Sequence, residues 1–196
     1  MNLTELINEV YVLTGRSDLV AQTKSAVKAA TLKAHKSDYY SKDIVETGVQ
    51  FNAPSYTQCL DYSCVVHNFR SLKYLRRVEG ATDDNGTFFE IVTPDNILDS
   101  YNQNRTDIAY VAGNVLQIRA SVTFSKALMG AYVLPTVTDT GYSSWVATNN
   151  PFAIIYEACR VIFKTIGFDE QSATFNSLVL EEYNLLKMSG LTDLGY

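Results

Sequence analysis

The chain has few of the residues on which catalysis, metal binding and disulfide scaffolds most often depend. It contains two histidines and three cysteines among 196 residues. Three cysteines are an odd number and too few for a disulfide scaffold, which favours free thiols in a reducing compartment. No apolar run approaches the roughly 20 residues that a membrane-spanning helix needs, and no basic stretch followed by an apolar segment marks a secretory signal. We therefore expect a protein made and used in a cytoplasm, without a membrane partner.

Catalytic motifs are missing as well. The sequence has no glycine-rich phosphate loop, no nucleophile elbow and no zinc helix with paired histidines. Cys59, Cys64 and His67 are residue types that bind zinc, but their spacing is wrong for a paired-cysteine knuckle, and we interpret the cysteines as ordinary buried thiols. Cys64 and His67 are a poor nucleophile pair, because three residues along a strand or loop rarely aim two groups at one substrate. We expect no metal, no cofactor and no enzymatic activity; an enzyme built on carboxylates is the alternative.

The balance of charge limits the partners. The formal net charge is −5, which argues against broad binding of nucleic acid and equally suits a passage through which DNA slides without sticking. The densest basic run is Arg70, Lys73, Arg76 and Arg77. Alternation along a strand would divide these charges between two faces, so the run favours an ionic subunit interface over contact with DNA.

Helical patterns begin the chain. Asn2 with Glu5 three residues later predicts a capping box, and Gly15 predicts the end of that first helix. A second helix should run from residue 17 or 18 to about residue 37, with a narrow stripe of small residues that lets a neighbouring helix approach closely.

Helical patterns also end the chain. Asn150 should cap a helix that Pro151 opens and Gly167 ends, and apolar residues on two opposite sides predict that this helix is central and buried. A last helix should run from about 169 to 188. Glu182 lies within its apolar stripe and needs a partner, for which Arg160 is our candidate. The residues predicted to face inward are Phe175, Leu178, Val179, Leu185 and Leu186.

Between about residues 43 and 133 the apolar period becomes two, as in strands. The clearest feature is a hairpin, with strands over 108–112 and 115–120 and a turn at Gly113 and Asn114, both expected to supply positive φ. A further strand is predicted from Leu128 to Leu134, before Pro135. These strands predict an antiparallel meander, followed by an irregular stretch over 139–150 in which Trp145 is a packing anchor.

The predicted class is therefore α+β. The N- and C-terminal helices, about 2–37 and 150–189, should form a helical bundle with a central antiparallel β-rich insertion at about 43–135 and a C-terminal tail at 190–196. The length fits one domain over 1–196.

The last third of the chain carries a family resemblance. The segments are Ser-Ser-Trp at 143–145, Asn-Pro-Phe-Ala-Ile-Ile-Tyr-Glu-Ala at 150–158, Phe-Lys-Thr-Ile-Gly-Phe-Asp-Glu at 163–170 and Leu-Glu-Glu-Tyr at 180–183. Together they resemble head-to-tail adaptor (connector) proteins of tailed bacteriophages, of the podovirus-like kind. In those proteins a penultimate helix enters after a tryptophan or proline turn, breaks at a glycine and leads to a last helix with an acidic and aromatic end. The order of helices and strands is similar too.

The resemblance implies a structural virion protein without catalysis. It implies a homo-oligomeric ring, commonly a dodecamer, that is assembled in the host cytoplasm and sits at the head-tail junction of the virion. It also implies that the ring contacts the portal protein above and tail or nozzle proteins below, with DNA passing through its lumen without sequence-specific binding. Because the C-terminal tail of several such adaptors reaches into the portal, Leu191, Leu194 and Tyr196 become portal-contact candidates.

The sequence also allows other functions. The chain could be another tail-completion or connector protein of the virion, with a different symmetry and partner. A small cytosolic enzyme and a DNA-binding regulator are the further alternatives, although no helix-turn-helix signature supports a regulator.

Overall fold

The structure is a computed structural model that describes residues 1–78, 86–98 and 103–193, with side chains described as far as Met188 in the last helix. Helices account for 44% and strands for 34%, which confirms the predicted α+β class. The chain divides into two compact units. A helical unit combines Met1–Asp43 with the chain from Leu134 onward, and a strand unit consists of Ile44–Val133.

Five helices and seven strands are described, and we number each kind in chain order. The helices are α1 (Leu3–Thr14), α2 (Val20–Lys36), α3 (Trp145–Asn149), α4 (Pro151–Thr165) and α5 (Asp169–Asp193). The strands are β1 (Ile44–Asp61), β2 (Phe69–Arg77), β3 (Glu90–Ile91), β4 (Ile108–Ala112), β5 (Val115–Val133), β6 (Thr136–Val137) and β7 (Tyr142–Ser143).

The first two helices begin for different reasons. The predicted capping box of α1 is confirmed, since the Asn2 side chain accepts from the Glu5 amide at 2.9 Å and the Glu5 carboxylate accepts from the Asn2 amide at 2.9 Å. Gly15, at φ 65°, ends α1 as predicted. The start of α2 was predicted two or three residues too early. Asp18 does not cap it, because both of its carboxylate oxygens accept from Arg16.

Helix α4 is the centre of the helical unit, as its two apolar sides predict. Gly167, at φ 81°, lets the chain turn after α4 in a Schellman motif, with the Gly167 amide bonded to the Lys164 carbonyl and the Phe168 amide to the Phe163 carbonyl. The Phe163 and Phe168 rings lie 6.3 Å apart and supply the hydrophobic contact of that motif. Residues buried in the core of this unit include Leu6, Val10, Val27, Ile154, Ile155, Ile162 and Leu186.

Other helical predictions were wrong as well. Leu185, predicted to face inward, is 53% exposed. The stretch predicted to be irregular contains α3, which the Ser144 hydroxyl caps by accepting from the Ala147 amide at 3.2 Å. Asn150 lies at the N-cap of α4, but its side chain makes no capping hydrogen bond. Gly190 does not end α5, which continues to Asp193. A single glycine costs a helix only about 1 kcal/mol, so it is a weak stop signal.

Strand β5 organises the strand unit. It is one strand of 19 residues, where the sequence predicted two shorter ones. It pairs antiparallel with β1 along one edge and with β4 and then β2 along the other. The predicted meander is therefore wrong, because β1 and β2 both pair with β5 and not with each other, and β3 pairs parallel to β4. The core of this unit contains Phe51, Leu75, Leu116, Ile118, Phe124 and Met129.

The predicted hairpin is present between β4 and β5, with Ala112 paired to Val115. Only Gly113, at φ 61°, takes a positive φ in its turn; Asn114 does not. One glycine in the left-handed region is thus enough to reverse the chain here.

A glycine in β5 makes room for an aromatic ring. Gly130 is paired to Glu46 on β1 and to Tyr74 on β2, and the Tyr74 hydroxyl donates across it to the Glu46 carboxylate. A Cβ at position 130 would lie 2.3 Å from the Tyr74 ring. The hydrogen bond to Glu46, with burial, raises the pKa of Tyr74. The three residues therefore tie β2, β5 and β1 together.

Candidate functional site

The four basic residues proposed as a subunit interface lie on β2, and their environments differ. Lys73 is exposed, and its ammonium lies 5.8 Å from the centre of the Tyr132 ring. Arg70 and Arg76 are half-buried. Arg77 is only 8% exposed.

The Arg77 side chain is used within the strand unit. One guanidinium nitrogen donates to the Thr87 hydroxyl at 3.3 Å, and another lies 3.8 Å from the Asp107 carboxylate. Of the four residues Lys73 is therefore the most accessible to another subunit and Arg77 the least.

The three portal-contact candidates fall at the end of the described chain. Leu191 lies within the last turn of α5, so the predicted tail begins later than residue 190. Leu194 and Tyr196 lie outside the described residues.

The cysteines depart from the prediction of buried thiols. Cys59 and Cys64 are exposed, and only Cys159 is buried. Cys59 lies in β1, where its thiol donates to the Gln117 side chain at 2.8 Å, because β1 pairs these two positions and both side chains share one face. Over residues 1–78, 86–98 and 103–193, no three histidine, cysteine or acidic side chains are grouped so as to hold a metal ion.

A buried polar network in the helical unit escaped the sequence analysis. His35 on α2 is 1% exposed, with Nδ1 2.7 Å from Asp43 Oδ1 and Nε2 2.9 Å from Ser144 Oγ. The same Asp43 oxygen accepts from the Trp145 indole at 2.7 Å. The network joins α2, the residue before β1 and the start of α3, which come from both ends of the chain.

Aromatic side chains enclose this network. The Trp145 ring makes edge contacts with His35 and Tyr40, at 5.5 and 5.1 Å between ring centres. Next to it the Tyr142 hydroxyl and the Thr31 hydroxyl are 2.8 Å apart, and burial raises the pKa of Tyr142. His35 and Asp43 are 1 and 4% exposed, so the hydrogen bond between them is stronger than it would be in water.

The atom order serine, histidine, aspartate is that of a hydrolase triad. Two features of the arrangement bear on whether Ser144 could act as a nucleophile. Asp43 and His35 are almost fully buried, and the Ser144 hydroxyl oxygen accepts the Ala147 amide as the cap of α3. A nucleophile needs its oxygen turned toward a substrate, whereas this oxygen is engaged by the protein on two sides.

A second buried group lies on α4. Glu157 is 2% exposed. Its carboxylate accepts from the Lys33 ammonium at 2.7 Å and from Nε and Nη2 of Arg160 at 3.0 and 2.7 Å. Burial raises the pKa of Glu157, but hydrogen bonds from Arg160 and Lys33 outweigh burial and hold the pKa below its ordinary value. The proposed pairing of Arg160 with Glu182 is therefore wrong, since Arg160 is engaged by Glu157.

No family model matches this chain. No curated protein matches it either. Within the part of the chain that the structure describes, no helix is both long and apolar enough to cross a membrane.

The missed residues gave only a weak signal. His35 follows Val27 and Thr31 at intervals of four, which places it on the buried side of α2. Its partners Asp43 and Ser144 are 8 and 109 residues away, and no local pattern joins them.

Proposed function

We propose that the chain is a structural virion protein, a head-to-tail adaptor that forms a ring between the capsid portal and the tail and lets DNA pass. The observation that carries the proposal is the division of the chain. Helices from both ends form one compact unit, and residues Ile44–Val133 form a separate strand unit inserted between them. A ring subunit needs two different complementary surfaces, and a chain built from two units has separate surfaces to offer.

The segments that carry the resemblance support the proposal by their location. Ser144 and Trp145 begin α3, Pro151 opens α4, and Gly167 forms the turn to α5. The acidic and aromatic segment at 180–183 lies in α5. All four segments belong to the same helical unit, so they describe one substructure and not scattered similarities.

Charge is compatible with a DNA passage. With a net charge of −5, the wall of a central channel would attract DNA phosphates only weakly. In the basic run on β2, the Arg77 side chain is hydrogen-bonded to Thr87 within the strand unit. Another connector or tail-completion protein of the virion would use the same features with a different neighbour.

Electron microscopy of the protein mixed with the portal protein from the same genome tests the proposal, with each protein alone as a control. We expect a ring stacked on the portal. A protein that never joins the portal contradicts the adaptor function and shifts the assignment to another virion component.

Two variants locate the contacts within that complex. A chain truncated after residue 190 lacks the three portal-contact candidates. We expect it to keep its helical content but no longer to bind the portal protein. Lys73→Glu with Arg76→Glu should weaken the ring, whereas Lys126→Glu, a basic residue on β5 outside the run, is the matched control. Equal behaviour of all variants would leave these residues without the proposed role.

A serine hydrolase is the second candidate, because the Ser144, His35 and Asp43 atoms follow the order of a triad. A fluorophosphonate probe tests it directly. We expect no labelling of Ser144; labelling that His35→Ala abolishes would favour the hydrolase over the adaptor.

A further inference from the structure

Strand β5 is continuous, but its pairing is interrupted in the middle. Within the described part of the chain, its residues 120–123 pair with no strand on either edge, and Phe124 pairs only with Ser55 of β1. The ladders that join β5 to β4 and to β2 also stop at this level. A break therefore crosses the strand unit, and we define it as residues 51–56 of β1 with residues 120–125 of β5.

The break divides the strand unit into two halves. The β4 half consists of β4 with residues 57–61 and 115–119, and the β2 half consists of β2 with residues 44–50 and 126–133. Each half is a paired ladder of its own, and β1 and β5 run through both.

Burial shows that the backbone is irregular at the break. Strand β5 buries even-numbered residues in the β4 half and odd-numbered residues in the β2 half: Leu116, Ile118 and Ala120, then Ala127, Met129 and Ala131. Strand β1 changes too, from buried Val49 and Phe51 to half-buried Gln58 and Leu60. Because side chains alternate strictly along a regular strand, each change requires a local irregularity, and bulges of this kind bend a strand.

Two glutamine side chains replace ladder hydrogen bonds at the break. The Gln50 amide, from the β2 half, donates to the Ser125 carbonyl at 3.1 Å. The Gln58 amide, from the β4 half, donates to the Phe124 carbonyl at 3.0 Å and to the Ala53 carbonyl at 2.8 Å. The two halves thus hold adjacent carbonyls of β5 through side chains, which can rotate, and not through a rigid backbone ladder.

The segment before β4 changes its partner at the same level. The Thr87 carbonyl and the Phe89 amide are bonded to the backbone of β2. The Glu90 amide is bonded to the Asp107 carbonyl, and the next bond in this direction also leads to β4. The division between the halves falls between Phe89 and Glu90, so this segment crosses the break as β1 and β5 do.

Other contacts across the break are weakly directional. The centre of the Phe124 ring lies 5.6 Å from that of Phe51 and 5.4 Å from that of Phe89. The Arg77 guanidinium lies 3.8 Å from the Asp107 carboxylate, which is beyond hydrogen-bond distance. Burial of apolar rings does not depend on their orientation, so the three rings can slide against one another and stay buried.

Open space adjoins the break. A cavity of about 550 Å³ is lined by Pro54 of β1, Val122 of β5 and Val78 after β2, among others. One half can tilt into this space without displacing side chains from the core.

We propose that the strand unit is hinged at the break, and that the β4 half tilts relative to the β2 half as one body. The three phenylalanine rings are the pivot, and the Gln50 and Gln58 amides limit the tilt. Such a hinge changes the direction in which the turn at Gly113 is presented, while both ladders stay intact. The chain can then fit partner surfaces that require different angles.

Distances between two nitroxide labels, measured by pulsed electron paramagnetic resonance on the chain alone, test the hinge. One label is attached to the native Cys59, which is exposed in the β4 half, and the other to Lys73→Cys, an exposed position in the β2 half. Cys64→Ser removes the second exposed thiol, and Cys159 is buried. A reference pair lies in the helical unit.

The reference pair is Val12→Cys with Asn176→Cys, two exposed positions on α1 and α5, in a chain without Cys59 and Cys64. It gives the width that the labels alone produce. Cys59 pairs with Gln117, which lies about 17 Å along β5 from Val122, so a tilt of about 20° moves it by about 6 Å. We expect the distance distribution across the break to be broader than the reference by about this amount.

Gln50→Ala with Gln58→Ala should broaden the distribution across the break further. Tyr74→Phe is the matched control, because it removes a side-chain bond to Glu46 that lies wholly within the β2 half. We expect it to leave the distribution unchanged. If the double alanine variant does not fold, as circular dichroism would show, the unsubstituted glutamines still decide the question through the width itself.

Two results overturn the hinge. A distribution across the break as narrow as the reference means that the break is a rigid bend. Equal broadening by Tyr74→Phe and by the double alanine variant means that the motion is not confined to the break. Neither result bears on the adaptor function, because no portal protein is present.

Discussion

The helical unit and the strand unit keep their shape by different means. Six of the seven polar residues that are buried in the described chain belong to the helical unit: Thr23, Thr31, His35, Asp43, Glu157 and Ser172. The strand unit buries Arg77 alone among them and relies on the backbone ladders of β5.

The difference follows from how each unit is built. The helical unit joins two stretches of chain that the whole strand unit separates, and helices fit together in many rotations. Buried polar groups choose among those rotations, because any other arrangement leaves donors or acceptors without partners. Strands in a sheet need less help, since a shift of one residue moves every side chain to the wrong face.

The thiols give the largest expected contrast between the units. Cys59 and Cys64 are exposed in the strand unit, whereas burial raises the pKa of Cys159 in the helical unit to about 12. At pH 8 only about one in ten thousand thiols with that pKa is a thiolate. With a chromogenic disulfide reagent we expect two thiols to react at once and the third only on unfolding. Three equally fast thiols would contradict the packing of α4.

Removing Asp43 should have the largest effect on stability. Asp43→Ala leaves the His35 and Trp145 donors buried without an acceptor, so we expect the free energy of unfolding to fall by about 2–4 kcal/mol. Urea unfolding measures the loss, and faster labelling of Cys159 assigns it to the helical unit. Asp43→Asn is the control and should cost less, because it keeps the oxygen that faces both donors and loses only the negative charge. Equal, small effects of both substitutions would show that the network contributes little.

The strand unit should be most sensitive where Tyr74 crosses β5. Gly130→Ala places a methyl group against the ring and should cost about 1–3 kcal/mol. Gly48→Ala on β1 is the matched control, because a Cβ there meets nothing within 4 Å. In a Tyr74→Ala background the cost of Gly130→Ala should shrink, which a double-mutant cycle of urea midpoints would detect. An unchanged cost would place the strain elsewhere.

Glu157 should give a smaller effect that depends on pH. Its folded pKa lies below the ordinary value of 4.5, so its ionisation stabilises the fold above pH 4.5 and that stability is lost as the pH falls through the folded pKa. We expect Glu157→Gln to lower the free energy of unfolding by about 1–2 kcal/mol at pH 7. The loss should be nearer 1 kcal/mol, because the half-exposed Lys33 ammonium can be solvated by water once its partner is removed.

Unfolding curves of both proteins between pH 7 and pH 3 measure the effect, and the difference between them should close below pH 4.5. Asp139→Asn is the matched control, because this carboxylate also binds two lysines but lies at the surface. We expect no measurable loss from it. A loss equal to that of Glu157→Gln would mean that burial does not distinguish the two sites.

Local features of the fold were readable from the sequence. The capping box of Asn2 and Glu5, the turn at Gly113 and the end of α4 at Gly167 each depend on residues within a few positions of one another. The periods of two and 3.6 separated strands from helices for the same reason, because each is a property of neighbouring side chains.

The nonlocal features were not readable. The pairing of β5 with three other strands requires contacts across tens of residues, and alternation along each strand is the same whichever neighbour it has. The candidate residues show a similar limit. In the structure Arg77 contacts Thr87 and Asp107, whereas Lys73 is exposed. The sequence of the basic run gives no sign of this difference.

Because β1, β2 and β4 all pair with β5, the sheet cannot form until β5 has been synthesised. Residues Ile44 to Asp61 pair with Tyr132 to Val115, so β1 leaves the ribosome well before its partner exists. At about 5–20 residues per second that delay lasts several seconds, during which β1 and β2 present unpaired edges. A chaperone that holds extended segments would act on this chain in that interval, and the need for it would end once Val133 emerged.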